Sequence, residues 1–248
     1  MKKSMIITGA SRGIGAATAR LAARRGFAVC VNYQGNQGAA DKVVAEILAD
    51  GGQALAVQAD VSNADDVSRL FETAISELGP LSSLVNNAGV TGPLLRLDET
   101  PALDIRRTID VNLTGSALCA AEAVRRMSTR YGGTGGSIVN VSSAAARIGG
   151  AGEWIDYAAS KGGVDTLTIG LAVEVGGEGI RVNAVRPGLT DTDIHETAGA
   201  PDRMANMAPN IPMKRAASPE EIANAIIWLT SDEASYVNGA IMDVAGGR

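Results

Sequence analysis

Histidine and cysteine are almost missing from this 248-residue chain, which holds one histidine, His195, and two cysteines, Cys30 and Cys119. With neither a CxxC pair nor an HExxH run there is no zinc-ligand set. Each cysteine stands among apolar residues, where a thiol behaves as a small reduced hydrophobe. An excess of positive charge is missing too. The formal net charge is −5 and the sequence pI about 5.0, which provides no broad field for a phosphate backbone and disfavours nucleic acid as a partner. No apolar run approaches the roughly 18 residues of a membrane span. The opening lysines lead into an apolar run that stops at Ile7 before a glycine-rich turn, so the segment reads as a first strand and not as a signal peptide. Linkers and solenoid-period repeats are also lacking. A single domain over 1–248 in a reducing, cytoplasmic setting is the expectation.

What is present is a rhythm. Short β-branched or apolar runs at 4–8, 28–32, 54–58, 84–86, 137–141, 181–185 and 240–244 alternate with longer amphipathic stretches at 14–25, 38–50, 64–77, 109–130, 157–175 and 219–229. That alternation predicts βαβ units around a parallel sheet. The one long aperiodic stretch, 188–217, carries Pro201, Pro209, Pro212, Met204 and Met207. It is expected to be a substrate loop or lid, the alternative being an irregular connection.

Between the first strand and first helix stands Thr8-Gly9-Ala10-Ser11-Arg12-Gly13-Ile14-Gly15. Glycines there let the backbone approach a pyrophosphate, and the helix N-terminus offers unpaired N–H groups to it. Gly9, Ser11, Arg12, Gly13, Ile14 and Gly15 are therefore candidate cofactor residues, although glycines also mark plain turns. The second strand ends Asn32-Tyr33-Gln34 without the carboxylate that grips a ribose 2′-hydroxyl. Arg12 can face a 2′-phosphate, with Asn32, Tyr33 and Asn36 adding hydrogen bonds, so NADP(H) is favoured over NAD(H). Asp60 and Val61 are placed at the adenine edge, and Asp60 is also a natural N-cap for the next helix.

Tyr157 and Lys161 stand four residues apart, one turn along the same helix face. A phenol near pKa 10 is a poor acid or base at neutral pH, and a nearby ammonium lowers it. As a lone pair this spacing more often decorates a half-exposed helix. Ser142-Ser143 follows a strand, at the sheet edge where ligands bind in open α/β folds; an N-cap or a serine turn is the bland reading of either serine. Asn86-Asn87-Ala88-Gly89 lies at the same edge, as a turn beside a cofactor or merely as a turn. Asn112 interrupts a helical stretch that it does not favour, and a local kink would accommodate it.

Together TGASRGIG, NNAG, Asn112, Ser143, YAASK and Arg186-Pro187-Gly188 resemble the short-chain dehydrogenase/reductase family in its single-domain form, the form of 3-oxoacyl-carrier-protein reductases and glucose dehydrogenases. The resemblance runs from Thr8 to the 243–247 region. It implies a Rossmann-type doubly wound sheet of seven parallel strands with helices on both faces, and a homotetramer or homodimer. It further implies Tyr157 as acid/base, Lys161 as its pKa modifier and ribose ligand, Ser143 as the carbonyl's hydrogen-bond partner and Asn112 as holder of a relay water. Asn86, Ala88 and Gly89 match the cofactor turn, and Pro187, Gly188, Thr190 and Thr192 match the segment beside the nicotinamide. The implied reaction is hydride transfer between nicotinamide and a small carbonyl or alcohol substrate, in the reducing direction if NADPH drives it.

Two departures stand against a 3-oxoacyl thioester substrate. The interval from Ser143 to Tyr157 looks one residue longer than in acyl-carrier-protein reductases. Glu174 and Glu178 stand where a basic surface for an acidic carrier is wanted. Arg125, Arg126 and Arg130 read either as such a patch or as a solvated helix face. A non-catalytic dinucleotide sensor has no need of Ser143, Tyr157 and Lys161 together.

Overall fold

In the computed structural model, strands form where the β-branched runs stand: β1 (Ser4–Ile7), β2 (Ala28–Tyr33), β3 (Gln53–Gln58), β4 (Leu81–Asn86), β5 (Gly136–Val141), β6 (Ile180–Pro187) and β7 (Ile241–Val244). The structure describes residues 3–192 and 203–248. All seven strands pair in parallel, in the order β3-β2-β1-β4-β5-β6-β7. Parallel neighbours require crossovers. These are supplied by helices α1 (Gly13–Arg24), α2 (Gln37–Ala49), α3 (Ala64–Leu78), α4 (Ala102–Ile109), α5 (Gly115–Met127), α6 (Ala145–Ile148), α7 (Ile155–Val175), α8 (Arg203–Met207) and α9 (Pro219–Thr230).

Strand side chains alternate between two cores, as a period of two requires. Met5 and Ile7 pack with Val29, Val31, Val139 and Val185 against α1, α2 and α9. Ile6 turns the other way, with Cys30, Leu84, Ile138 and Val182, onto α3, α5 and α7. Covering both faces is what makes these strands continuously apolar. Cys30 and Cys119 are both fully buried, and burial pushes each thiol up to about 12. No described helix is long and apolar enough to cross a membrane.

Three local expectations need correction. The single helix expected over 109–130 is two helices, α4 and α5, joined by a π-helical turn over Asp110–Thr114 that contains Asn112. The start of α4 escaped the periodicity argument because only Thr108 of its residues is buried. The N-cap of α3 is Asn63, whose side chain accepts from the amides of Asp65 and Asp66; Asp60 instead accepts from the Ser62 amide and hydroxyl and from Gln34. The 188–217 stretch is not wholly irregular. It contains α8, and its ends are pinned together by a bridge between Thr190 and Ala217. His195, Pro201 and the rest of 193–202 lie outside the described residues.

A buried polar chain ties the middle of the sheet to α7. Asn86 Nδ2 donates to Asn140 Oδ1 (2.9 Å), its register partner on β5, and Asn140 Nδ2 donates to Thr168 Oγ1 (2.9 Å). Buried amides without partners cost about 1–3 kcal/mol each. Asn140→Ala should therefore destabilise the protein by about 2–4 kcal/mol in urea unfolding, since it strips partners from both neighbours. A loss under about 0.5 kcal/mol would show that the chain is not structural.

Candidate active site

In a parallel sheet every strand ends at the same edge, and here the connections leaving β1 and β4 pass to opposite faces and open a crevice between them. The glycine turn after β1 is pressed onto the end of β4. Gly9 has φ +62°, and a Cβ on it would lie 2.8 Å from Ala88 Cα. Thr8 Oγ1 accepts from the amides of Asn87 and Ala88, both at 3.0 Å, while Asn87 Nδ2 donates to the carbonyls of Thr8 and Gly9. Gly13, at φ +54°, leaves room for Thr192, whose Cγ2 would be 3.2 Å from an added Cβ.

A cavity of about 650 Å³ follows this edge. Gly9, Ser11, Arg12, Gly13 and Ile14 line one end, near Asn32, Tyr33, Asp60 and Val61. Ala88, Gly89, Pro187, Gly188, Thr190 and Thr192 line its length, and Ser143, Tyr157 and Lys161 stand on its wall. Helix α1 begins without a capping side chain and without an acidic residue in its first turn. Helices α2, α3 and α9 are capped by Asn36, Asn63 and Ser218. The first-turn amides of α1 thus have no competing side-chain acceptor, the condition for receiving an anion.

Several candidates occupy other places. Asn86 is not on the cavity wall: its amide turns into the sheet, donating to the Ser116 carbonyl as well as to Asn140. Its neighbour Asn87 lines the cavity instead. Gly15 is also off the wall, and it is glycine because a Cβ there would meet Asn87 Nδ2 at 2.5 Å and the Gly9 carbonyl at 2.6 Å. Asn32 lines the cavity, but its side chain is engaged by the Gly9 amide and the Val57 and Ala59 carbonyls, so it braces the glycine turn and has no donor left for a phosphate. Asn112 sits behind the wall, its side chain taken up by Val90 N (2.8 Å), Val90 O (2.9 Å) and Ser160 Oγ (3.0 Å). A carboxamide bonded in this way is a brace between α4–α5 and α7.

The expected Tyr157–Lys161 pair is present on α7, with Nζ 5.7 Å from the ring centroid. Its electrostatics differ from expectation. Burial raises the phenol above its ordinary value, opposed by a hydrogen bond from Ser143. Lys161, only 3% exposed, donates to the Val141 carbonyl at 2.8 Å, and desolvation lowers it to about 8 against the opposing charge of Asp165. Ser143 also makes the predicted serine turn, accepting from Ala145 N at 3.1 Å. Gly89 marks where the parts meet, since a Cβ there would be 3.4 Å from both Asn112 Oδ1 and Lys161 Nζ.

The opposite end of the cavity holds residues the motifs did not single out: Glu153, Arg203, Met207 and Arg248, beside Trp154. Trp154 Nε1 donates to the Gly92 carbonyl, and Arg203 stacks over its ring at 4.5 Å. Arg203 and Met207 fall in the stretch expected to be a substrate loop, but their meeting with Glu153 and Arg248 does not follow from local sequence, because α8, the loop before α7 and the turn after β7 meet only in the fold. Arg125 and Arg126 of α5 share the one carboxylate of Glu122, and Arg130, in the turn after α5, lies 3.9 Å from Glu178.

Residues 9–248 match the family model described as enoyl-(acyl carrier protein) reductase. Similar curated proteins span nearly the whole chain. The oxidoreductase YgfF of Escherichia coli (strain K12) is 49% identical over 98% of both chains. The cis-4-hydroxycyclohexanecarboxylate dehydrogenase of Sinomonas cyclohexanicum is 47% identical over 98% of this chain and 94% of its own. A 3-oxoacyl-(acyl-carrier-protein) reductase of Synechocystis sp. is 42% identical over 98% and 95%.

The buried lysine gives the site a stability signature. Folding favours its neutral form, so the unfolded chain holds the proton more tightly between about pH 8 and 10.5 and stability rises with pH across that window. Below it the full penalty stands, on the order of 3 kcal/mol for this depression. Lys161→Met should accordingly be about 1–3 kcal/mol more stable than wild type at pH 7, allowing for the lost bond to Val141, with the advantage shrinking toward pH 10. Urea titrations at the two pH values check this; equal differences at both would contradict it.

Proposed function

The chain belongs to the short-chain dehydrogenase/reductase family of oxidoreductases, and on that premise we propose that it is an NADPH-dependent reductase of a small ketone, with Tyr157 as the proton donor. The observation that carries this is the meeting of Ser143, Tyr157 and Lys161 on one cavity wall, continuous with a glycine cradle that no side chain could enter. The cradle suits a dinucleotide: Gly9 and Gly13 admit close backbone approach, and the uncapped first turn of α1 favours a pyrophosphate. Tyr33 and Arg12 flank the end of β2, whose own residues include no carboxylate to repel a 2′-phosphate. Asp60, facing the same region, is held by Gln34 and Ser62.

When bound, the nicotinamide supplies the hydride that adds to the carbonyl carbon. The Ser143 hydroxyl donates to the carbonyl oxygen and orients it. Tyr157 gives that oxygen its phenolic proton as negative charge develops there. The Lys161 ammonium steadies the phenolate left behind, and its depressed value lets it exchange a proton near neutral pH. Asn112 positions these groups by bonding both the Val90 backbone and Ser160, whose hydroxyl in turn donates to the Tyr157 carbonyl at 2.7 Å.

A 3-oxoacyl thioester is the second reading, because relatives at 42% and 39% identity carry that activity in their names. Arg125, Arg126 and Arg130 are each tied to Glu122 or Glu178, which leaves little free positive charge for an acidic carrier to dock on there. The relative named for cis-4-hydroxycyclohexanecarboxylate supports a small cyclic substrate instead.

Tyr157→Phe should lower kcat/KM for any reduced ketone by about 10²- to 10⁴-fold while NADPH binding persists; unaltered turnover excludes the mechanism. Arg12→Ala should weaken NADPH about tenfold or more and NADH hardly at all in fluorescence titrations. Equal weakening of both would remove the 2′-phosphate role.

A further inference from the structure

The segment after β7 is built to deliver a guanidinium into the cavity. Gly246 and Gly247 both adopt left-handed conformations, with φ of 62° and 92°. Side chains on them would collide, with Ile211 Cγ2 at 2.9 Å and Pro212 Cβ at 3.0 Å respectively. The turn is fastened on both sides: Met213 N donates to the Gly246 carbonyl (3.2 Å), and Arg147 Nη2 to the Arg248 carbonyl (2.6 Å). With its backbone held, Arg248 lines the same cavity as Tyr157.

The two arginines at this end are not equivalent. Arg203 is fully engaged, bonding both oxygens of Glu153 (2.8 and 2.6 Å) while stacked on Trp154. Glu153 is held below its ordinary value chiefly by that pair, with Arg248 adding a smaller attraction. Arg248 itself has no carboxylate within ion-pair distance among the described residues; its guanidinium donates to Met207 Sδ at 3.9 Å. A thioether is a weak acceptor for a group suited to a planar oxyanion. Of the two guanidinium groups beside Trp154, Arg203 is thus taken up by Glu153, and Arg248 is the one without an Asp or Glu partner among the described residues.

We propose that the substrate is an oxo- or hydroxycarboxylate: its carbonyl faces Ser143 and Tyr157, its apolar middle lies against Trp154 and Met207, and its carboxylate is received by Arg248. This rests on the reading of the chain as a ketone reductase. It makes Arg248 a specificity-determining residue, since a bidentate charged contact discriminates a carboxylate from its neutral isostere.

The test compares 4-oxocyclohexanecarboxylate with its methyl ester as substrates of wild type and Arg248→Gln, and separately titrates cyclohexanecarboxylate and cyclohexanecarboxamide into the full chain by calorimetry, with and without NADP+. Wild type should favour the acid over the ester by about tenfold or more, chiefly through KM, and Arg248→Gln should lower the acid-to-ester ratio of kcat/KM about 10- to 100-fold. Arg248→Lys should restore part of that ratio. Equal use of acid and ester, or an equal fall in both with Arg248→Gln, overturns the proposal and leaves the reductase reading standing. If acid, ester and cyclohexanone are all left unreduced, the reductase reading falls. The calorimetric preference for carboxylate over carboxamide, lost in Arg248→Gln, then still decides the anion site, and its absence overturns that as well.

Discussion

The close approach of two backbones, the glycine turn after β1 and the end of β4, is the constraint from which the site follows. It is held by the Thr8 hydroxyl, which accepts two amides of the 86–89 turn, and by Asn87, which returns two bonds to Thr8 and Gly9. Any side chain on Gly9 or Gly15 would force these strands apart, by contacts of 2.8 Å to Ala88 or 2.5 Å to Asn87. Asn32 adds a third clamp from β2. The uncapped start of α1 lies where it does because these clamps set the path of the turn.

The second organising feature is a buried cation. Lys161 is accommodated by the Val141 carbonyl and by the charge of Asp165, which is itself bonded to Arg186 at 2.8 Å. Burying an ammonium with so little compensation is unfavourable for folding, and such costs are concentrated at sites where a tuned group is useful. The α7 helix that carries it is braced from both sides, by Asn140 through Thr168 and by Asn112 through Ser160. The π-helical turn at Asp110–Thr114 belongs to this bracing, since it sets the Asn112 carboxamide against Val90 and α7 at once.

Much of this was legible from residue patterns. Strand alternation located all seven strands to within a few residues, because a sheet covered on both faces needs unbroken apolar runs. Ser143, Tyr157 and Lys161 were recognisable because their chemistry is carried by residue type at a given spacing. Neighbours within a motif were harder to separate: in Asn86-Asn87 the two side chains point to opposite sides of the edge, and only pairing with Asn140 and Thr8 tells them apart. Asp60 and Asn63 are both good caps, and only the observed helix start shows that Asn63 fills that place.

By itself the sequence determined the fold class and the family, and it marked the Tyr157–Lys161 spacing, all of which depend on local periodicity and on motifs read in order along the chain. The tertiary structure alone decided the electrostatics and the far end of the cavity. Whether a phenol is raised or lowered depends on how much protein surrounds it, which spacing does not encode. Glu153, Arg203 and Arg248 come from three separated segments with no common pattern, and their charges become a site only because the fold brings them to one wall.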